Sequence, residues 1–392
     1  MSSNVLQNMA SLGGGVLGYL IPFLFVLTIV VFFHELGHFV IARLVGIKVL
    51  VFSLGFGPEL IGFNDRHGTR WKISAVPLGG YVKFFGDENA ASVPDATAVA
   101  TMSETDRRVS FFHKSVGRRA AVVAAGPIAN FILAIVIFAG IFMFYGKQTT
   151  SARVDAIQPD SAAAAAGFKA GDLVLSIDGR PIQTFADMQR IISANAGQAL
   201  EVKVDRGGEP LTLKATPELK EIKDSFGNAH RVGVLGISRS MAEDDLKLEP
   251  VSPLTALGLG FSETWFVVER TLSYIGGVVT GRESADQLGG PARIMQVSGQ
   301  VWSGGLLSGG ISAASVALMH LTAVLSVSIG LLNLFPIPLL DGGHLLFYTI
   351  EVVRGRPLSE RAQEYGFRIG LAIVVMLMIF ATFNDIVHLT TS

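Results

Sequence analysis

The sequence predicts a polytopic α-helical membrane protein of about four transmembrane helices, with one soluble α/β domain inserted between them. Three observations carry this. Charged residues make up 16% of the 392, where a soluble domain carries about 25%. The charge is also uneven: residues 147–253 hold 28 charged residues, and the other 285 residues hold only 35. Finally, Lys, Arg, Asp and Glu are absent from 1–34, 120–146, 294–340 and the shorter run 369–384, and a spanning helix needs about 20 largely apolar residues. The apolar content excludes a disordered chain. A net charge of −1 argues against a nucleic-acid binder. With no cysteine, disulfides and thiolate sites are excluded, which leaves His, Asp and Glu as metal ligands.

The first span is expected at about 16–38. No basic stretch precedes its apolar run, and that run is too long for a cleavable leader. The other spans fall at about 120–145, 316–336 and 368–388. Basic residues orient them. Residues 1–14 hold no Lys or Arg, 41–119 hold eleven, 350–368 hold four and 385–392 hold none. Cytoplasmic loops are the basic ones. Residues 41–119 and 340–367 are therefore expected inside, and the insert 147–315 and both termini outside. Residues 254–281 are fairly apolar, but Glu263, Glu269 and Arg270 interrupt them. They read as an amphipathic helix at the outer interface. A fifth span there would put Asp341 on the opposite side from His34.

The sharpest motif is His34-Glu35-Leu36-Gly37-His38. On a helix, histidines at i and i+4 share one face and can share a zinc ion, and the Glu between them can act as general base for the hydrolytic water. The motif lies near the inner end of an uncharged span, where ionisable side chains are costly and therefore functional by default. Catalytic zinc takes three protein ligands. Asp341 fits as the third, because the basic-loop topology puts it on the same side as His38. Pro336 and Pro338 break the helix just before it, and irregular backbone at membrane depth must line a cavity or be buried in protein. His344 is a possible ligand in its place. His320, isolated in mid-span, reads as a packing residue.

Residues 48–86 alternate imperfectly and are punctuated by glycine, which predicts short strands and turns. A sheet edge near the site could pair with an unwound substrate by strand addition. Residues 87–110 read as a polar inner loop.

The motif at 34–38, followed by NLFPIPLLDGGH at 333–344, resembles the site-2 protease family of intramembrane zinc metalloproteases, in particular its bacterial RseP-like branch. Residues 56–58 and 77–83 are similar to the family's membrane re-entrant β-loop, and 115–119 with 125–130 to the start of its second span. Ser359-Glu360-Arg361 and Phe383-Asn384-Asp385 are similar to its C-terminal helix region. In the insert, 154–161, 166–172, 176–179 and 233–237 resemble a permuted bacterial PDZ domain. The RseP-like branch carries two such domains in tandem, whereas this insert has room for one.

The resemblance implies one Zn2+ per chain held by His34, His38 and Asp341, with Glu35 as catalytic base. Asn333, Gly79, Gly80 and Tyr81 are implied to hold substrate, and Leu235, Gly236 and Ile237 to form a PDZ peptide-binding loop. The implied domains are a membrane core at 1–146, a periplasmic PDZ domain at 151–240, an outer-face helical region at 241–310 and a second membrane core at 311–392. The implied function is regulated intramembrane proteolysis in a bacterial inner membrane, with the site near the cytoplasmic face. Its substrates would be single-pass membrane proteins such as anti-sigma factors or remnant signal peptides, some already trimmed by an upstream periplasmic protease. The competing reading is a proteolytically inactive, PDZ-bearing membrane scaffold.

Overall fold

The computed structural model describes residues 15–87, 102–149, 151–223, 229–239, 247–281, 285 and 289–391. In chain order, α1 (Val16–Leu44) leads into strands β1 (Val49–Asn64) and β2 (Arg70–Phe84), then α2 (Glu104–Val109) and α3 (Val116–Tyr145). The insert begins with β3 (Lys147–Thr149), β4 (Ala156–Ile157), α4 (Ala162–Ala165), β5 (Leu173–Ile177), β6 (Arg180–Pro181) and α5 (Phe185–Ala194). It continues through β7 (Leu200–Arg206), β8 (Glu209–Ala215), β9 (Glu218–Lys223), β10 (Ala229–Val234), β11 (Ile237–Ser238) and β12 (Lys247–Glu249). Helices α6 (Pro253–Val279), α7 (Pro291–Asn333), α8 (Asp341–Arg354) and α9 (Glu360–Thr391) complete the chain. There are two compact units, one formed by residues up to 141 together with 254–391, the other by 142–253.

In the first unit, α1, α3, α7 and residues 361–387 of α9 are long and apolar enough to cross a membrane, four helices among the described residues. All four extend beyond the spans that the sequence predicts. The largest difference is α7, which starts at Pro291 rather than near 316. Gly309 and Gly310 leave helical geometry, Gly310 at φ 70° and ψ −157°, so α7 is two helices, 291–308 and 311–333. Only glycine adopts that backbone cheaply. The glycine pair is therefore a breaker inside a run that composition alone reads as continuous.

Small residues let these helices approach closely. Gly260 of α6 lies against Ala139 of α3, and Gly299 of α7 lies against Tyr19 of α1. Residues 254–279 and 291–310, expected as a separate outer-face region, thus belong to the same unit as the spans. Glu263, Glu269 and Arg270 keep α6 outside the set of apolar crossing helices. Asp385 of α9 is buried, and its carboxylate accepts from the backbone N–H groups of Gly290 (2.8 Å), Ala292 (3.1 Å) and Arg293 (3.3 Å) at the start of α7. A helix N-terminus leaves such N–H groups without partners of its own, and here a carboxylate from another helix supplies them.

β1 and β2 pair antiparallel, and both double back. Leu54 is registered with Gly80 on one side and Ile73 on the other, while residues 59–64 pair with 70–74. The segments therefore lie in the order 59–64, 70–74, 51–54, 80–84. Gly55 makes the reversal, with φ 88° and the carbonyls of Ser74 and Val76 against it. Phe52 stacks on Trp71 with ring centroids 4.2 Å apart, and both pack with Phe39 of α1. Among the described residues no strand pairs with the outer edge of 80–84. Of the expected loop at 87–110, residues 88–101 lie outside the described residues.

The second unit holds a four-stranded sheet in the order β6-β5-β7-β8. Val174, Ile177, Val202 and Val204 turn inward onto Met188 and Ile192 of α5. Thr184 and Asp187 close a capping box at the start of that helix. Strand β11 pairs with β4, and β3 with β12 at the base of the insert.

Candidate metal centre

The centre starts from helix periodicity. His34 and His38, one turn apart on α1, bring their Nε2 atoms to 3.3 Å. Asp341, the first residue of α8, places Oδ2 3.2 Å from His34 Nε2 and 3.6 Å from His38 Nε2. Residues 334–340 carry it there. Pro336 and Pro338 end α7, Leu339 is held at φ 112°, and the chain re-enters helix at Asp341. A positive φ at a branched residue is strained. Gly342 and Gly343 are needed at the next two positions, because any Cβ there would run into the backbone of 334–338.

A second pair of glycines closes the other side. A Cβ at Gly37 would lie 2.8 Å from the Ala129 side chain, and one at Gly126 would strike the His38 ring and come within 2.9 Å of His34 Cε1. These glycines bring α1 and α3 close enough for His38 Nδ1 to donate to the Val122 carbonyl at 2.9 Å. A carbonyl only accepts, so the proton of neutral His38 is on Nδ1 and its Nε2 presents a lone pair. Asp341 Oδ2 is buried and has no hydrogen-bond partner. Lone pairs therefore converge on one point, an arrangement that a cation satisfies. The spacing fits zinc as well: tetrahedral ligands about 2.0–2.1 Å from the ion stand roughly 3.3 Å apart, close to the three observed separations. His34, His38 and Asp341 form the single such cluster among the described residues.

A family model described as peptidase family M50 matches residues 22–377. The chain belongs to peptidase family M50. Relatives in Agrobacterium fabrum (50% identical, covering 95% of this chain and 97% of that one) and Rhizobium meliloti (49%, 94% and 97%) are provisionally named zinc metalloproteases. Metalloprotease MmpA of Caulobacter vibrioides is 41% identical over 95% of this chain and 96% of its own. A PDZ domain of an SdrC-like protein from Listeria monocytogenes matches 24% of this chain and 87% of its own, at 20% identity and a TM-score of 0.18. The protein is thus an M50 zinc metalloendopeptidase, and its His-His-Asp cluster suits the metal named for its relatives.

The remaining expected residues divide. Glu35 is buried and lines a cleft of about 200 Å3 together with both histidines, Asp341, Gly80 and Tyr81. Gly80 lies directly on α1: a Cβ there would stand 3.0 Å from Glu35 Cγ. Gly79 faces the Phe56 ring instead. Asn333, at the end of α7, brings its amide to 3.4 Å from His34 Nε2. His344 lines the cleft, but its ring packs on Phe367 and it stands outside the ligand cluster. His320 packs its ring on Phe138. Leu235, Gly236 and Ile237 belong to the second unit. Leu235 is in its core, Gly236 lies against Ser161, and Ile237 pairs with Ile157.

Sequence reasoning gave no role to Asn130 or Gly126 of α3, or to Tyr348 of α8. Asn130 is fully buried, with its amide 3.3 Å from His34 Nδ1. The available signal was an amide inside an otherwise apolar span, where polar groups are expensive. Tyr348 forms part of the cleft wall.

Proposed function

We propose that this M50 peptidase hydrolyses peptide bonds within the transmembrane segments of single-pass membrane proteins, near the cytoplasmic face of a bacterial inner membrane. The observation that carries the reading is the segment 80–84, whose outer edge pairs with no other described strand and whose Gly80 and Tyr81 line the cleft beside Glu35. Peptide bonds in a helix are shielded by the helix itself, whereas a strand added to a sheet edge presents its backbone. Phe56, Leu60, Ile61, Phe63 and Leu78 are exposed on the same sheet, as suits a hairpin dipping into lipid. The basic loops 41–119 and 340–367 favour an inner position for the site and an outer one for the insert. The insert, read as one PDZ domain, then acts before chemistry by selecting substrates that an outer protease has already trimmed. Anti-sigma factors and remnant signal peptides have the required single-pass form. Lipid and substrate suffice as partners, and nucleic acid has no place in the scheme.

His34, His38 and Asp341 would hold one zinc ion, whose Lewis acidity polarises the scissile carbonyl when it is bound. Glu35 removes a proton from the attacking water and later delivers one to the leaving amine. Gly80 and Tyr81 hold the substrate backbone extended, and Asn333 donates its amide to a substrate carbonyl. The test is cleavage of a tagged transmembrane peptide by purified protein, with and without chelator. Chelator-sensitive cutting inside the apolar segment is expected. A zinc-loaded protein that cuts neither this peptide nor a trimmed membrane substrate would favour the scaffold.

A further inference from the structure

We infer that Asn130 is a positioning residue that fixes the tautomer of His34, accepting the Nδ1 proton on its side-chain oxygen so that Nε2 is left free for the metal. The two histidines differ in what faces their Nδ1 atoms. His38 has its Nδ1 hydrogen bonded to the Val122 carbonyl. His34 has no carbonyl at its Nδ1; the group there is the Asn130 side-chain amide, at 3.3 Å. His34 Nε2 meanwhile points into the cluster, toward Asp341 Oδ2 and His38 Nε2. A neutral imidazole that gives one nitrogen to a metal carries its proton on the other, so the His34 proton belongs on Nδ1 and needs an acceptor.

As placed, the amide turns Nδ2 toward the ring, and its Oδ1 is buried with no hydrogen-bond partner. The two ends of a carboxamide have nearly the same shape and are assigned from their hydrogen bonds. Turning it by half a rotation brings the orphaned oxygen to the Nδ1 proton. With Nδ2 at the ring, the proton would instead be driven onto Nε2, where it competes with the cation. The orientation of one amide therefore decides whether His34 is a ligand.

The fold holds Asn130 for this task. It is fully buried. Ser326 of α7 donates to its main-chain carbonyl at 2.9 Å. Gly330, also on α7, leaves room beside it, since a Cβ there would come within 3.0 Å of Asn130 Cβ. Asn130 thus stands where α1, α3 and α7 meet, and it is the only side chain for which a hydrogen bond to His34 Nδ1 is observed among the described residues. Outer partners of metal-bound histidines typically change metal affinity by about 10–100-fold.

The inference rests on the zinc site and is independent of the substrate. The test compares Asn130→Leu and Asn130→Asp in the full-length detergent-solubilised protein, with zinc affinity read by competition against a chromophoric chelator. Leucine keeps the branched side-chain skeleton, though it is bulkier, and has no acceptor, so about a 10–100-fold loss of zinc affinity is expected. Aspartate keeps an acceptor at the same place and should stay within a few-fold of the native protein. Cobalt loading gives a second readout, the ligand-field spectrum, which should be perturbed by Asn130→Leu and kept tetrahedral by Asn130→Asp. If Asn130→Leu fails to fold, the cobalt spectrum and zinc affinity of Asn130→Asp decide alone: a loss of zinc affinity comparable to that of a ligand deletion would overturn the role. Equal impairment of both variants would reduce Asn130 to packing, and unchanged zinc affinity in Asn130→Leu would remove it altogether. Native protein that binds no zinc while His38→Ala behaves identically would instead refute the metal site itself, and Asn130's role with it.

Discussion

Gly126 is where a single methyl group would do the most damage. A Cβ there meets the metal-facing edge of His38 and also approaches His34. Gly126→Ala should therefore displace a ligand while leaving the apolar core of α3 intact, an overpacking penalty of about 1–3 kcal/mol. Zinc content of the purified variant is expected to fall together with cleavage; full occupancy would mean that the helices shift to absorb the methyl. The ligands themselves separate binding from chemistry. Alanine at His34, His38 or Asp341 should abolish both zinc retention and cleavage. Glu35→Gln should keep zinc and lose cleavage by about 10²–10⁴-fold, the usual contribution of a positioned base. Residues 34, 35 and 38 were legible in the sequence because one helical turn fixes their relation without any tertiary contact. Asp341 was legible because charge is scarce in the spans and the basic loops put it on the same side. Gly126 and Asn130 were not, since their roles arise from the approach of two helices separated by most of a hundred residues.

At the scale of elements, the same divide separates what alternation and apolar runs can reveal from what contacts decide. Four spans and a strand-forming segment could be read from composition. The break at Gly309 and Gly310 could not, because a glycine pair is compatible with both a continuous and a broken apolar helix. The doubling back of β1 and β2 was hidden for a similar reason: imperfect alternation reveals strands but not which segments neighbour each other. The capping of α7 by Asp385 joins residues more than ninety positions apart. Asp385→Ala leaves the Gly290, Ala292 and Arg293 N–H groups without that acceptor, and hydrogen bonds to charged groups contribute about 1.5–3 kcal/mol each at most. Amide exchange at 290–293 should accelerate, with little change at 311–333. Uniform protection in the variant would show that water or another group replaces the carboxylate. In the insert, Asp172 accepts from Arg206 Nε (2.7 Å) and Nη2 (2.8 Å) and from the Lys169 amide (2.9 Å). Burial pushes its carboxyl up, but Arg206 and the Lys169 amide outweigh this and hold it below the ordinary carboxylate range. A carboxyl lowered by folding contributes fully above its unfolded value of about 3.9 and loses that contribution as pH falls through the folded value. Exchange protection across 151–220 should therefore decline below about pH 4 in the native chain, and Asp172→Asn should flatten the decline.

The whole molecule divides labour between a unit that holds the zinc site and a unit that holds none of its ligands. If the basic loops orient the chain as expected, reporter fusions after residues 95 and 356 will report the cytoplasm, and fusions after 230 and 392 the opposite side. A cytoplasmic signal at 310 would mean that α6 crosses, and because Asp341 lies beside His34 the orientation read from the basic loops would then fail. With the insert outside, its role reduces to admission, either by gripping a newly exposed C-terminus or by excluding bulky outer domains. Substituting Gly236 with a large residue cannot separate these, because Gly236 has φ 79° and its missing Cβ would strike Ser161. The domain itself would be damaged. Two other comparisons do separate them. Thr149 and Lys247 are registered partners at the base of the insert, so a short glycine-serine link between these positions can replace what lies between with little distortion of the membrane unit. If the domain excludes by size, that variant should keep its zinc and cut untrimmed substrates that the native enzyme rejects. If it grips, the variant should slow on trimmed substrates, and peptides with a free C-terminal carboxylate should bind the intact protein more tightly than their amidated forms. We expect the first outcome, since one domain joined at both ends to the membrane unit is tethered as a plug would be. A variant that folds, retains zinc and still refuses full-length substrate would end that reading.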